Sequence, residues 1–201
     1  MAVDNFADKS KSWDMNSKIV QNAKDIAEHI IKNIKLNSKM KIMDFGAGTG
    51  LLSYFIAPHV HTIVAVDNSP SMLEKFKEKA PKFECKTKVL ELDLSQSDID
   101  EKFDGIISSM TIHHLKDTKA LFVNLYNMLE ENSFIAIADL DSEDGSFHSD
   151  NTGVFHYGFN RDTLEHIAKE VGFKNIRFEL ASTINKPHTN FTVFLMLAEK
   201  Q

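Results

Sequence analysis

The chain has 201 residues, 42% hydrophobic and 26% charged, the balance of an ordinary globular protein rather than a disordered or fibrous one. Its 23 basic and 29 acidic residues leave a formal charge of −6, which disfavours a nucleic-acid phosphate backbone as main partner. The longest apolar run, residues 193–198, is too short to span a bilayer, and the single cysteine, Cys85, permits neither an intrachain disulfide nor a Cys-based zinc cluster.

The first fifteen residues carry Asp4, Asp8, Lys9, Lys11 and Asp14, so they hold no secretory h-region and a cytoplasmic location is expected. Over residues 17–35 the stripe Ile19, Ala23, Ile26, Ala27, Ile30 and Ile34 predicts an amphipathic helix. Strand-like runs follow at 41–45, 62–66, 89–92, 105–108, 134–138, 176–180 and 191–198. Helices are predicted between most of them. One runs from the cap Ser69 and Pro70, with Met72, Leu73 and Phe76 inward. A second follows Asp117 and carries Leu121, Phe122, Leu125, Tyr126 and Leu129; a third runs from Asn160 to Gly172. Apolar strands alternating with helices argue a parallel sheet covered on both faces. Only residues 181–190 separate the last two strands, too few for a helical crossover, so these are expected to pair antiparallel at one edge.

The first strand ends in Asp44-Phe45-Gly46-Ala47-Gly48-Thr49-Gly50. Alternating glycines there let the backbone approach a ligand closely, and residues 51–57 can form a helix behind them. Asp67 ends the second strand 23 residues after Asp44, where nucleotide-binding α/β sheets place a ribose-binding carboxylate. A dinucleotide fingerprint would need its third glycine at position 51, which is Leu. The pattern instead resembles the first two motifs of class I S-adenosylmethionine (SAM)-dependent methyltransferases. Glu91-Leu92-Asp93-Leu94 is similar to that family's adenine-edge motif. Phe103-Asp104-Gly105 opening a run that ends in Met110-Thr111-Ile112-His113-His114-Leu115 is similar to its fourth-strand motif. Among subgroups the likeness is to small-molecule enzymes of the ubiquinone/menaquinone-biosynthesis type. Glu130-Glu131-Asn132-Ser133 departs from the usual Pro-Gly-Gly before strand five, but Asn132 can supply the left-handed turn.

The resemblance implies a Rossmann-like, doubly wound α/β sheet of seven strands, order 3-2-1-4-5-7-6 with strand 7 antiparallel. It implies one methyltransferase domain over residues 1–201: an N-terminal lid and helix (1–35), a SAM-binding core (36–140), and an acceptor-side loop, helix and hairpin (141–201). SAM is the implied cofactor and S-adenosylhomocysteine its product. Asp44, Gly46, Ala47, Gly48 and Gly50 would hold the methionine end, joined by Ser109 and Met110 through backbone. Asp67 would accept the ribose hydroxyls, Asn68 and Met72 would flank the adenine, and Asp93 and Leu94 would meet its edge and face.

Methyl transfer from a sulfonium is a direct displacement, so the protein has mainly to align the reactants and exclude water. A general base is needed only when the acceptor must lose a proton. His113, His148 and His156 are the candidates, the last two on a long polar and aromatic stretch after strand five that also holds Asp141. Phe6 and Trp13 precede the first helix, on a segment that in relatives folds over the site as a lid. Carboxylate-rich loops such as the one containing Asp139 and Asp141 are usually solvated, and no metal is expected. No [D/N]-P-P-[Y/F] motif exists, and Cys85 follows Glu84 rather than Pro, which demotes nucleic-acid acceptors. A small, partly apolar acceptor, no membrane partner, and a monomer or homodimer are expected. The alternative is a non-catalytic SAM-fold module that binds a protein.

Overall fold

The computed structural model describes residue 4, residues 6–93 and residues 99–201. Each α-helix starts on a short polar side chain that satisfies otherwise unpaired N–H groups, or on the glycine loop. Asn16 caps α1 (Ser17–Asn33), and α2 (Leu51–Ile56) begins directly after Gly50. Ser69 caps α3 (Pro70–Lys79), Asp117 caps α4 (Thr118–Met128), and Asn160 caps α5 (Arg161–Val171). The last of these stops at Gly172, whose φ of 119° releases the chain into the next strand.

The strands are β1 (Lys41–Phe45), β2 (Thr62–Asp67), β3 (Lys86–Glu91), β4 (Phe103–Ser109), β5 (Leu129–Leu140), β6 (Lys174–Lys186) and β7 (Thr189–Lys200). They form one sheet in the order β3-β2-β1-β4-β5-β7-β6. The first five run parallel and β7 is antiparallel to both β5 and β6. Because strand side chains alternate between faces, neighbours in sequence serve opposite cores. Ile42 and Ile107 pack with Ile26 and Ile30 of α1, Leu52 of α2 and Phe76 of α3. Met43 and Ile106 pack on the other face with Phe122 and Leu125 of α4 and Leu164 of α5. Helices therefore cover both faces, and the predicted doubly wound architecture is the one observed.

Three local expectations need correction. Leu129 does not end α4; it opens β5, pairing with Phe103. Residues Glu130 to Ser133 are a bulge inside that strand rather than a turn before it, between the pairs Phe103–Leu129 and Gly105–Phe134, and Asn132 takes the expected left-handed geometry at φ 58°. The final hairpin is tighter than predicted, with only Pro187 and His188 between the paired Lys186 and Thr189. The polar residues 181–190 lie largely on the edge strand β6, where an exposed face suits Ser, Thr, Asn and Lys.

Cys85 is half-buried, and burial pushes its thiol up, away from thiolate chemistry. Among the described residues no helix is long and apolar enough to cross a membrane. Phe122 is fully buried between α4 and the sheet. Phe122→Ala should lower unfolding stability by about 3–5 kcal/mol in urea titration, through lost burial plus the cavity left behind.

Candidate functional site

The strand order reverses beside β1, which has β2 on one side and β4 on the other. Connections leaving the carboxyl ends of these strands diverge, opening a crevice of the kind where α/β sheets bind ligands. The glycine loop after β1 is stapled to the end of β2: the N–H groups of Gly46 and Ala47 donate to Val66 O at 2.8 and 3.1 Å. At Gly46 a Cβ would stand 2.2 Å from the Thr111 side chain after β4, so only glycine permits this approach. Gly48 differs. Its φ is 54°, and a Cβ there would meet nothing within 4 Å, so the space beside it is open rather than filled by packing.

Asp67 faces that space from β2. Its Oδ2 accepts from Gly48 N at 2.8 Å and its Oδ1 from Ser69 N at 2.8 Å. Each carboxylate oxygen keeps a second acceptor direction. Burial raises the Asp67 pKa more than these backbone donors lower it. Asp44 is 1% exposed and accepts from Ser53 Oγ of α2 at 2.5 Å, tying strand, loop and helix together. Burial, with Asp67 adding like charge, pushes its pKa up to about 7 despite the Ser53 bond.

The other cofactor candidates lie around this crevice. Met72 is buried and Asn68 exposed at the start of α3; Asp93 is half-buried just beyond β3; Leu94 lies outside the described residues. Ser109 ends β4, and Met110 takes φ 56° while donating its N–H to Ala138 O at 2.9 Å. A left-handed non-glycine residue costs roughly 1 kcal/mol or more, and such strain clusters at functional sites.

The described residues before α1 are anchored on both sides of the crevice. Asp4 accepts from Ser69 Oγ at 2.8 Å and Ser71 N at 3.1 Å, beside Asp67. Asp14 accepts from Thr49 Oγ1 at 2.6 Å and meets Lys79 Nζ at 2.5 Å. Between these anchors the Phe6 ring packs edge-on against Trp13 and His114, with centroids 6.2 and 5.7 Å away. Phe6 and Trp13 thus stand over the junction of crevice and histidines.

Beyond β4 and β5 three histidine rings gather. His113 lies 4.1 Å from His114 and 5.0 Å from His148, centroid to centroid. His113 Nδ1 is 2.8 Å from Asp139 Oδ1, and both residues are buried. Burial, then the neighbouring His113 and His114, lowers the His148 pKa to about 4, so that ring is neutral near neutral pH. His156 is set differently: its Nε2 is 2.9 Å from Leu115 O, and its ring lies on Phe159. That ring ties the 153–159 loop to the segment after β4. Asp141 likewise serves as an anchor, accepting both Nε and Nη2 of Arg161 at 2.7 and 2.8 Å and Thr192 Oγ1 at 2.7 Å. Burial raising its pKa is outweighed by these donors, which hold it below the usual carboxylate range.

Sequence reasoning did not assign the anchoring roles of Ser53, Asp4, Asp14 and Thr111, nor the pairing of Asp139 with His113. Only the last left a legible trace, an acidic residue at the end of one strand and a His-His segment after its neighbour.

Residues 21–177 match a family model described as "Methyltransferase domain". The chain is 32% identical over 180 residues to the uncharacterized methyltransferase C1347.09 of Schizosaccharomyces pombe, covering 81% of this chain and 62% of that protein. It is 27% identical over 118 residues to a ubiquinone biosynthesis O-methyltransferase of Rickettsia typhi, covering 57% and 48%. The chain thus spans less than two thirds of either relative. A solved phosphoethanolamine N-methyltransferase 2 of Haemonchus contortus, in complex with S-adenosyl-L-methionine, superposes with a TM-score of 0.69 at 18% identity over 99% of this chain and 60% of that one.

Asp44 offers a pH test. Its folded pKa, about 7, lies above its ordinary value of 3.8, so its contribution to stability is fully present below the lower value and lost as pH rises through the upper. Asp44→Asn keeps an acceptor for Ser53 but cannot titrate. The urea midpoint of the wild type, relative to Asp44→Asn, should fall between about pH 5 and about pH 8. A constant difference across that window would show that Asp44 is ionised in the folded state throughout.

Proposed function

This chain belongs to the class I SAM-dependent methyltransferases, and on that premise we propose that it transfers a methyl group from SAM to a small-molecule acceptor. The observation that carries the reading is the crevice at Gly48, open where a side chain would stand and faced by the Asp67 carboxylate. These residues fit the cofactor. Asp67 would take the ribose hydroxyls with its two remaining acceptor directions, and the 46–50 backbone and Asp44 would meet the cationic methionine end. Met72, Asn68 and Asp93 would flank the adenine. When bound, SAM supplies a methyl group already activated by the positive charge on its sulfur.

The remaining work belongs to the chain. Phe6 and Trp13 would exclude water from above, the left-handed Met110 turns the chain after β4, and His113 and His148 would stand on the acceptor side. We read residues 1–201 as one methyltransferase domain, cytoplasmic, a monomer or homodimer, with no nucleic-acid or membrane partner. A non-catalytic binding module is not favoured: His113 Nε2 is buried with no hydrogen-bond partner, where a nitrogen serving structure alone would be paired.

Calorimetry tests the reading directly. The wild type should bind SAM and S-adenosylhomocysteine with micromolar affinity. Asp67→Ala removes two charge-assisted hydrogen bonds and should weaken binding by roughly 100-fold or more. Gly48→Ala puts a methyl group into the open space at a left-handed position and should weaken binding, with circular dichroism checking that the fold is kept. No heat from the folded wild type with either ligand would sink the assignment.

A further inference from the structure

We propose that the outer edge of β6 is a dimer interface, on which a second copy of this chain pairs antiparallel through its own β6, with Phe178 on the two-fold axis. β6 ends the sheet, and only β7 pairs with it. Among the described residues, the backbone bonds of Arg177 to Leu180 run to β7 alone, so the groups on the other side of the strand are open to a partner. The opposite edge, β3, is short and carries exposed Lys86 and Lys88 alternating with half-buried residues, a pattern that discourages pairing. β6 differs. Leu180 is 52% exposed, and among the described residues it is the only strongly exposed large apolar side chain that lies in a strand. Ile176 and Phe178, on the same face, are partly buried against the core that α4 and α5 cover.

The other face of this short run carries charge. Arg177 has no carboxylate partner among the described residues; it makes one long bond, from Nη2 to Asn33 O at 3.4 Å. Glu179 meets His29 Nδ1 and Asn33 Nδ2 through Oε2, each at 3.0 Å, and its Oε1 keeps its acceptor directions. The His29 contact lowers the Glu179 pKa, so the carboxylate is charged at neutral pH.

Register selects the partner. Opposite residues of an antiparallel pair project to the same face, so the axis position decides which side chains meet. With Phe178 on the axis, Arg177 of each copy stands opposite Glu179 of the other, and Ile176 stands opposite Leu180. Charge meets opposite charge on one face, and apolar meets apolar on the other. An axis at 177 sets Arg177 against Arg177, and one at 179 sets Glu179 against Glu179. An axis between residues 177 and 178, or 178 and 179, sets Phe178 against a charge, and one at 180 sets it against Ser182. The match at 178 is isologous, so two copies exhaust it. Register shifts at Lys174/Arg177 and Leu180/Ser182 bound the regular run, and Asn175 takes φ 50°. Such bulges twist an edge away from longer, open-ended ladders.

Sedimentation equilibrium of the full chain tests the pairing without reference to methyl transfer. A short ladder is a small interface, so a dimer dissociation constant on the order of 10–100 µM is expected, and the wild type is loaded up to about 500 µM. Arg177→Glu and Glu179→Arg each set like charges opposite one another at two symmetric places, and each alone should weaken the dimer about tenfold or more. Mixed in equal amounts, the two variants present Glu against Arg at every charged pair, and the mixture should associate within about threefold of the wild type. Loss of the His29 contact in Glu179→Arg persists in the mixture, so damage to the fold cannot produce that recovery. Leu180→Lys, at an exposed position, should weaken the dimer by a similar factor and leave the urea midpoint unchanged. A wild type monomeric over the whole range, a dimer that survives Arg177→Glu or Leu180→Lys, or a mixture no tighter than its parts would overturn the proposal.

Discussion

The backbone stapling of the loop after β1 to the end of β2 is the constraint on which the site depends. Three N–H groups, from Gly46, Ala47 and Gly48, are donated to two neighbouring residues of β2, Val66 through its carbonyl and Asp67 through its carboxylate. A chain cannot point successive amides at one target without unusual backbone angles. Gly46 and Gly48, at φ 69° and 54°, supply them. With the loop so fixed, Thr111 can close against Gly46 from the β4 side, and the space above Gly48 stays clear. The crevice is thus a consequence of main-chain hydrogen bonding, and its side chains only line it.

The second half of the site is held by a different force. Asp139 and His113 arise from adjacent parallel strands, β5 and the segment just beyond β4, whose registers bring Ser109 opposite Ala138. The sheet thereby delivers a buried acid and a buried ring to one another without any loop having to search for the other. Burial makes the pairing obligatory, since an isolated carboxylate at that depth would be severely penalised. The strained Met110, bonded to Ala138 O, is the hinge point at which the chain leaves β4 toward the imidazole.

Most of the fold was legible because its signals are local. Ser69-Pro70, Asp117 and Asn160 each mark a helix start by a mechanism that needs no tertiary knowledge, and the apolar runs are long enough to read as buried strands. Boundaries failed where tertiary pairing overrode composition: the bulge at Glu130 to Ser133 is flanked by pairs to β4 and joined at Ser133 to Lys200 of β7, and the polar half of β6 is paired by β7. The cofactor candidates could be read from spacing along the chain. The duties of the histidines could not, because His113 and His156 differ only in what lies beside them in space. Asp139 holds one and the Leu115 carbonyl holds the other. Asp141 read as an acceptor-side group for the same reason; nothing along the chain foretells Arg161 and Thr192 closing on it.

Two acidic side chains with raised pKa values, Asp44 and Asp67, flank the glycine loop, and Asp4 stands by the second. Burial makes both carboxylates easier to protonate than free ones, and a cation arriving beside them would favour their charged form. A sulfonium delivers one positive charge more than the thioether it becomes. On the proposed reading, transfer would therefore erase part of the attraction that admits the donor and so favour release of the neutral product.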